Sequence, residues 1–214
     1  MKGRKSGPAA RTSQGCRPYG LRTSALAARG MHVIAYDARG HGRSGYTTVA
    51  GDYEKTALAG DLLGLMDALG LPRASIYGTS MGATTALLLA LAHPERVERL
   101  VVRSPSPFGD DMSLARRALG GLALSYQLLG VSVTSRLAAM MPGTGDPVRT
   151  RALLRDQRRA AIVPALRGFL SAPLGTQHLD EIVAPTLVLT HRGDPVHPLR
   201  SGDILYDRMP DVTG

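Results

Sequence analysis

A serine between two glycines raises the question of what chemistry this chain performs. Gly78-Thr79-Ser80-Met81-Gly82 follows the pattern G-x-S-x-G, in which a strand turns sharply into a helix and exposes the serine hydroxyl. Small residues two before and two after the serine are expected to leave room for that turn. The hydroxyl would lie at a helix N-terminus, where the helix dipole favours developing negative charge. The pattern therefore predicts that Ser80 is a nucleophile; an ordinary glycine-rich turn is the alternative.

The segments around this motif predict a parallel sheet. Short apolar runs predict strands, and longer runs with helical periodicity and glycine or proline stops predict helices. The expected strands are 31–36, 74–77, 99–103 and 186–190; the expected helices are 21–29, 52–69 (capped by Asp52), 81–92 and 199–209. Strands that alternate with helices indicate βαβ units, whose chemistry lies beyond the carboxyl ends of the strands.

Three stretches together resemble the α/β-hydrolase fold family. They are "ALAARGMHVIAYDARGHGRSG" at 25–45, "GTSMGATTALLLALAHPERVERLVVRSP" at 78–105 and "IVAPTLVLTHRGDPVHP" at 182–198. The resemblance covers 21–109 and 176–210, and it implies a mostly parallel sheet flanked by helices. The expected organisation is a basic disordered tail at 1–20, a core at 21–109 and 176–214, and a leucine-rich helical lid at 110–175.

The resemblance also implies roles for particular residues. Ser80 would attack the carbonyl carbon of an ester, a lactone or a similar small acyl substrate, and the Met81 N–H would stabilise the oxyanion. Asp194 would be the acid that orients a histidine. A turn aspartate before Pro195 is the alternative for Asp194, and Asp110 and Asp111 are weaker candidates for the acid.

Two parts of such a site are not found in the sequence. The base is expected after Asp194, beyond one more helix and strand, and His197 follows too closely to be more than a turn residue. The catalytic histidine is therefore expected beyond residue 214. The His-Gly that usually marks the second oxyanion donor, and the strand before it, are not found before residue 21. We expect a serine hydrolase with impaired activity; a non-catalytic remnant or binding module of this fold is the alternative.

A rival motif predicts a different function. The stretch 40–45, "GHGRSG", matches the dinucleotide fingerprint G-x-G-x-x-G after a predicted strand. No helix follows it directly, and the next strand ends in Gly78-Thr79 rather than in an acid. We therefore interpret it as a loop that Asp37, Arg39 and Ser44 tie down near the site.

Composition excludes several other functions. Six of the nine units of net positive charge come from residues 1–22, and the chain has two phenylalanines and no tryptophan to stack on bases. Nucleic acid is therefore not an expected partner. The one cysteine, Cys16, allows no disulfide within the chain and suggests no metal site. No apolar run is long enough to span a membrane. We expect a cytoplasmic protein without a cofactor, and the oligomeric state remains open.

Overall fold

A sheet of four parallel strands organises the part of the chain that the structure describes. The structure is a computed structural model, and it describes residues 23–106, 108, 112–140, 148, 160–171, 175–194 and 197–214. The strands are β1 (Ala74–Ser80), β2 (Val97–Pro105), β3 (Thr186–Leu189) and β4 (Val212–Thr213), adjacent in that order. Every neighbouring pair is parallel, as the sequence predicts.

Six helices flank or precede these strands in the described residues. They are α1 (Thr23–Ala27), α2 (Lys55–Ala68), α3 (Met81–Ala92), α4 (Met112–Ala139), α5 (Ile162–Leu170) and α6 (Leu199–Arg208). Gly130 interrupts α4 with φ 73°. Three short 3₁₀ helices lie at Ala50–Tyr53, Pro94–Arg96 and Leu179–Glu181. The predicted cap of α2 is wrong, because Asp52 belongs to the first 3₁₀ helix and α2 begins after Glu54.

The hydrophobic core lies between one face of the sheet and helices α2, α3 and α6. Side chains alternate along the strands, because successive residues of a strand point to opposite faces. Leu100 and Val102 of β2 are buried, and Leu205 of α6 packs into the same cluster. On the opposite face, Leu187 and Leu189 of β3 are partly exposed. Because α3 follows β1 and α6 follows β3, the burial of these two helices also holds the ends of β1 and β3 in place.

The predicted strand at 31–36 does not form. These residues adopt no regular structure, and Met31, Ile34 and Tyr36 are exposed over 39–51% of their surface. A strand needs a neighbouring strand for its hydrogen bonds, and strand propensity alone does not supply one. β1 lies at an edge of the sheet in the described residues, so 31–36 and β1 do not pair. The prediction failed because it rested on apolar, β-branched composition alone.

Helix α5 packs against the 3₁₀ helix Ala50–Tyr53 and the first residue of α2, which joins the segment 110–175 to the rest of the fold. A Cβ built on Gly168 would lie 1.9 Å from the Ala50 carbonyl oxygen, so the two backbones are in direct contact. The buried Lys55 ammonium donates to the Phe169 carbonyl and lies 4.5 Å from the centre of the Phe169 ring. The described part of this segment is mainly helical, and its role as a lid stays a prediction.

Two other expectations concern the tail and the membrane. The basic segment 1–20 lies outside the described residues. Among the helices that are described, none is both long enough and apolar enough to cross a membrane.

Replacing Leu205 with alanine tests the position of α6 in the core. Leu205 is fully buried, so Leu205→Ala is expected to lower the free energy of unfolding by about 2–5 kcal/mol. Tyr206→Ala is the control, because Tyr206 is 59% exposed and its loss should change stability by about 0.5 kcal/mol or less. Urea denaturation measures both. Equal losses in the two variants would contradict this account of the core.

Candidate active site

Ser80 lies where β1 turns directly into α3. It is the last residue of β1, and Met81 is the first residue of α3, so no loop residue separates the two elements. The Ser80 backbone has φ 52° and ψ −113°, a conformation that residues with a side chain rarely adopt. Strain of this kind costs of the order of 1–3 kcal/mol and tends to occur at functional sites. The predicted strand–turn–helix setting of Ser80 is confirmed.

The two glycines of the motif have different roles. A Cβ built on Gly78 would lie 2.1 Å from the Gly82 carbonyl oxygen and 2.6 Å from the Ala83 nitrogen, so only glycine fits there. A Cβ built on Gly82 meets no atom within 4 Å. The expectation that both positions require small side chains is therefore wrong for Gly82. Its backbone, and not the space around its α-carbon, makes the close contact with β1.

The imidazole of His197 lies between Ser80 and Asp194. Its Nε2 is 2.8 Å from the Ser80 Oγ, and its Nδ1 is 2.9 Å from the Asp194 Oδ2. The His197 backbone N–H also donates to the Asp194 Oδ1, at 3.0 Å. A carboxylate can only accept hydrogen bonds, so Nδ1 carries the proton in this arrangement and Nε2 can accept from the Ser80 hydroxyl. The three side chains form one hydrogen-bonded chain that ends at Ser80.

The position of His197 differs from the sequence analysis in one respect. His197 was predicted to be no more than a turn residue, and its ring lies within hydrogen-bond distance of the Ser80 Oγ. That the catalytic histidine lies beyond residue 214 stays a prediction. The Asp-x-x-His spacing was the available signal: the carboxylate can bind the backbone N–H and the ring nitrogen of one residue.

Two elements flank the segment in which Asp194 and His197 lie. It follows β3, whose Val188 is buried, and it precedes α6, whose Leu205 is in the core. A Cβ built on Gly202 of α6 would lie 2.4 Å from the Thr190 Cγ2, so α6 packs tightly against the end of β3. The Asp194 and His197 side chains are 21% and 18% exposed, which leaves them partly shielded from water.

The candidate oxyanion donor lies beside Ser80. Met81 is the first residue of α3, and the first N–H groups of a helix have no partner inside the helix. This placement agrees with the predicted role of the Met81 N–H, which stays a prediction. A second oxyanion donor was not found in the sequence before residue 21, and residues 1–22 lie outside the part of the chain that the structure describes.

The loop at 37–45 is tied down as the sequence analysis expected. The Ser44 hydroxyl donates to the Asp37 carbonyl at 2.5 Å, and the Arg43 N–H donates to the Asp37 carboxylate at 3.1 Å. Arg39 donates to both oxygens of Asp61 on α2, at 2.6 and 2.5 Å. This hydrogen bond to Asp61 is the main reason why the pKa of Arg39 is raised.

Neither a strand before the loop nor a helix directly after it forms, which removes the structural context that dinucleotide binding requires.

The remaining candidates do not join the site. Asp110 and Asp111 lie outside the described residues. His41 bonds the Arg39 carbonyl, His178 pairs with Glu181, and His32 and His191 are exposed. No group of three or more potential metal ligands occurs in the described part of the chain.

Comparison with known proteins identifies the class. The sequence model of the α/β hydrolase fold matches residues 21–129. The chain belongs to this family, and it is a hydrolase of the α/β type.

Particular relatives extend the match over most of the chain. The 2-hydroxy-6-oxononadienedioate/2-hydroxy-6-oxononatrienedioate hydrolase of Comamonas testosteroni is 31% identical over 198 residues, covering 86% of this chain and 68% of its own. The 3-oxoadipate enol-lactonase 2 of Acinetobacter baylyi is 29% identical over 187 residues, covering 85% and 68%. The crystal structure of the enol-lactonase from Burkholderia xenovorans superposes with a TM-score of 0.70 at 25% identity, covering 83% and 68%. The chain thus spans about two thirds of these proteins.

Alanine at each glycine of the motif tests the backbone contact at the turn. Gly78→Ala forces a methyl group into the α3 backbone and is expected to lower the free energy of unfolding by about 1–3 kcal/mol. Gly82→Ala meets no atom and replaces a helical glycine, so stability should stay the same or rise by up to about 1 kcal/mol. Urea denaturation of the two variants gives the comparison. An equal loss in both would show that the turn depends on both α-carbons being bare.

Proposed function

We propose that this protein is a serine hydrolase that cleaves a carboxylic ester, a lactone or a similar small acyl compound through an acyl-enzyme on Ser80. The observation that carries the proposal is the strained backbone of Ser80 at the junction of β1 and α3. Such a turn holds the hydroxyl at the carboxyl edge of a parallel sheet, at the N-terminus of a helix. A mere connection between strand and helix needs no such strain.

The proposed reaction has two halves. As the Ser80 Oγ bonds to the substrate carbonyl carbon, its hydroxyl proton passes to a base, and the pair of π electrons moves to the oxygen beside the Met81 N–H. Collapse of this intermediate breaks the bond to the alkoxide, which takes that proton and leaves as the alcohol, while an ester remains on Ser80. Water then attacks the ester by the same route and releases the acid. Asp194 would act through a histidine, by fixing its tautomer and stabilising its charged form.

The names of relatives support the substrate class. Two of the similar proteins are named enol-lactonases, from Acinetobacter baylyi and Burkholderia xenovorans. A lactone is a cyclic ester, so one nucleophile and one oxyanion site serve lactones and open esters alike. The proposed partner is accordingly a small acyl substrate.

The impairment expected from the sequence stays part of the proposal. It rests on a catalytic histidine expected beyond residue 214 and on a second oxyanion donor not found in the sequence; the histidine that lies near the Ser80 Oγ, at 2.8 Å, is His197. A non-catalytic protein of this fold remains the alternative outcome of the experiment below.

Labelling with a fluorophosphonate probe tests the proposed nucleophile. Activated serines displace fluoride from such probes and keep the phosphorus, so we expect one label per chain, on the peptide that contains Ser80. Ser80→Ala should abolish the label. Ser75→Ala is the matched control, because Ser75 is an exposed serine of the same strand and its loss should leave labelling unchanged. Peptide mass spectrometry locates the probe.

Two results would contradict the proposal. One is an unlabelled wild-type protein, which would make the chain a non-catalytic member of the family. The other is a label that persists in Ser80→Ala, which would move the nucleophile to another residue.

A further inference from the structure

We propose that helix α4 carries a docking surface for an anionic lipid bilayer. This inference goes beyond the proposed function and does not depend on the chemistry of Ser80. Among the described residues, six large apolar side chains that lie on α4 or directly after its last residue are 43–80% exposed. They are Leu124, Leu128, Leu129, Val133, Leu137 and Met140. A surface of this kind, here called the outer face of α4, marks contact with a protein or a membrane.

In the half of α4 before Gly130, a buried face and an exposed face lie opposite each other. Tyr126 is buried, and Leu124 and Leu128 lie two residues to either side of it, about 200° away around the helix. Arg117 is exposed and lies nine residues before Tyr126, about 180° around the helix from it. The protein therefore covers one side of this half and leaves leucine and arginine side chains on the other.

The half of α4 after Gly130 has the same two-sided character. Thr134 and Ser135 are at most 1% exposed and mark its inner side. Val133 and Arg136, which are both exposed, flank this pair and lie about 150° from its midpoint around the helix. The outer face of α4 thus combines apolar side chains with an arginine in both halves.

The charge of this helix favours an anionic lipid surface as the occupant. Residues 112–140 contain three arginines and no aspartate or glutamate, and the whole chain has a net charge of +9. Basic residues are attracted to anionic headgroups, and exposed leucines on the same side of a helix can enter the boundary between headgroups and acyl chains. None of the described helices is suited to cross a membrane, so α4 would lie along the surface.

A second copy of this chain fits the outer face less well. A symmetric dimer places the same surface patch of both copies against itself. Arg117 and Arg136 would then face arginines, and residues 112–140 offer no acid to pair with them. The apolar side chains of the outer face are also all aliphatic or thioether groups, whereas the strongest contacts between proteins favour tryptophan and tyrosine. Tyr126, the aromatic residue of 112–140, is buried.

Binding of the full chain to lipid vesicles tests the docking surface. The wild-type protein is expected to float with vesicles made of equal parts phosphatidylcholine and phosphatidylserine, and to bind less as salt screens the arginines. Leu128→Glu should weaken this binding by at least about tenfold, because it replaces an apolar side chain with a negative charge. Val183→Glu is the matched control: Val183 is 63% exposed but lies outside α4, so its binding should equal that of the wild type.

A tryptophan at the same position reports whether the outer face enters the lipid. The chain has no tryptophan, so Leu128→Trp provides a single indole. Its fluorescence is expected to shift to shorter wavelength when these vesicles are added, because the indole leaves water. Tyr206→Trp is the control, since Tyr206 is 59% exposed on α6 and its indole should stay in water.

Three results would overturn the inference. One is a wild-type protein that does not float with the anionic vesicles. Another is flotation that Leu128→Glu leaves unchanged or that Val183→Glu weakens equally, which would move the contact to another part of the chain. The third is a wild-type dimer in analytical ultracentrifugation that Leu128→Glu dissociates, which would make a second copy the occupant. Should Leu128→Glu fail to fold by circular dichroism, Leu128→Trp decides: a shift in its emission supports the inference, and an unchanged emission overturns it.

Discussion

The site depends on one backbone contact, the close approach of β1 and α3 at Gly78 and the Gly82 carbonyl. A side chain at Gly78 would push the helix away from the strand, and Ser80 would no longer lie at an abrupt junction. The opposing force is the burial of α3, whose Ala83, Ala86 and Leu87 are at most 1% exposed in the core. Packing of α3 thus holds Ser80 in a conformation that it would not adopt alone.

A parallel sheet then brings the other parts of the site to the same edge. The residues after β1, β2 and β3 all leave the sheet at its carboxyl end, where the register pairs Ser80 with Pro105. Ser104 is buried at this edge and has φ 45°, a second strained serine beside the first. The turn after β3 adds Asp194 and His197. Residues more than a hundred positions apart in the chain thus form one hydrogen-bonded group.

Much of this arrangement could be predicted from the sequence, and the failures have physical reasons. The Ser80 turn was predictable because its signals are local: an apolar run, a glycine that must be bare, and a helix. The segment 31–36 was not, because a strand exists only with a partner and composition does not reveal one. The contact of His197 with Ser80 was not predicted, because three residues of separation in the sequence do not reveal how one carboxylate binds both the backbone and the ring of His197.

The central claim is that Ser80 carries the acyl group during turnover, and a trapped intermediate tests it most directly. A short-chain phenyl ester mixed with the wild-type protein and quenched in acid within milliseconds would preserve any acyl-enzyme. The account predicts a mass increase of one acyl group on the peptide that contains Ser80, and no increase in Ser80→Ala. Steady ester turnover with an unmodified Ser80 at every quench time, and undiminished turnover by Ser80→Ala, would contradict it.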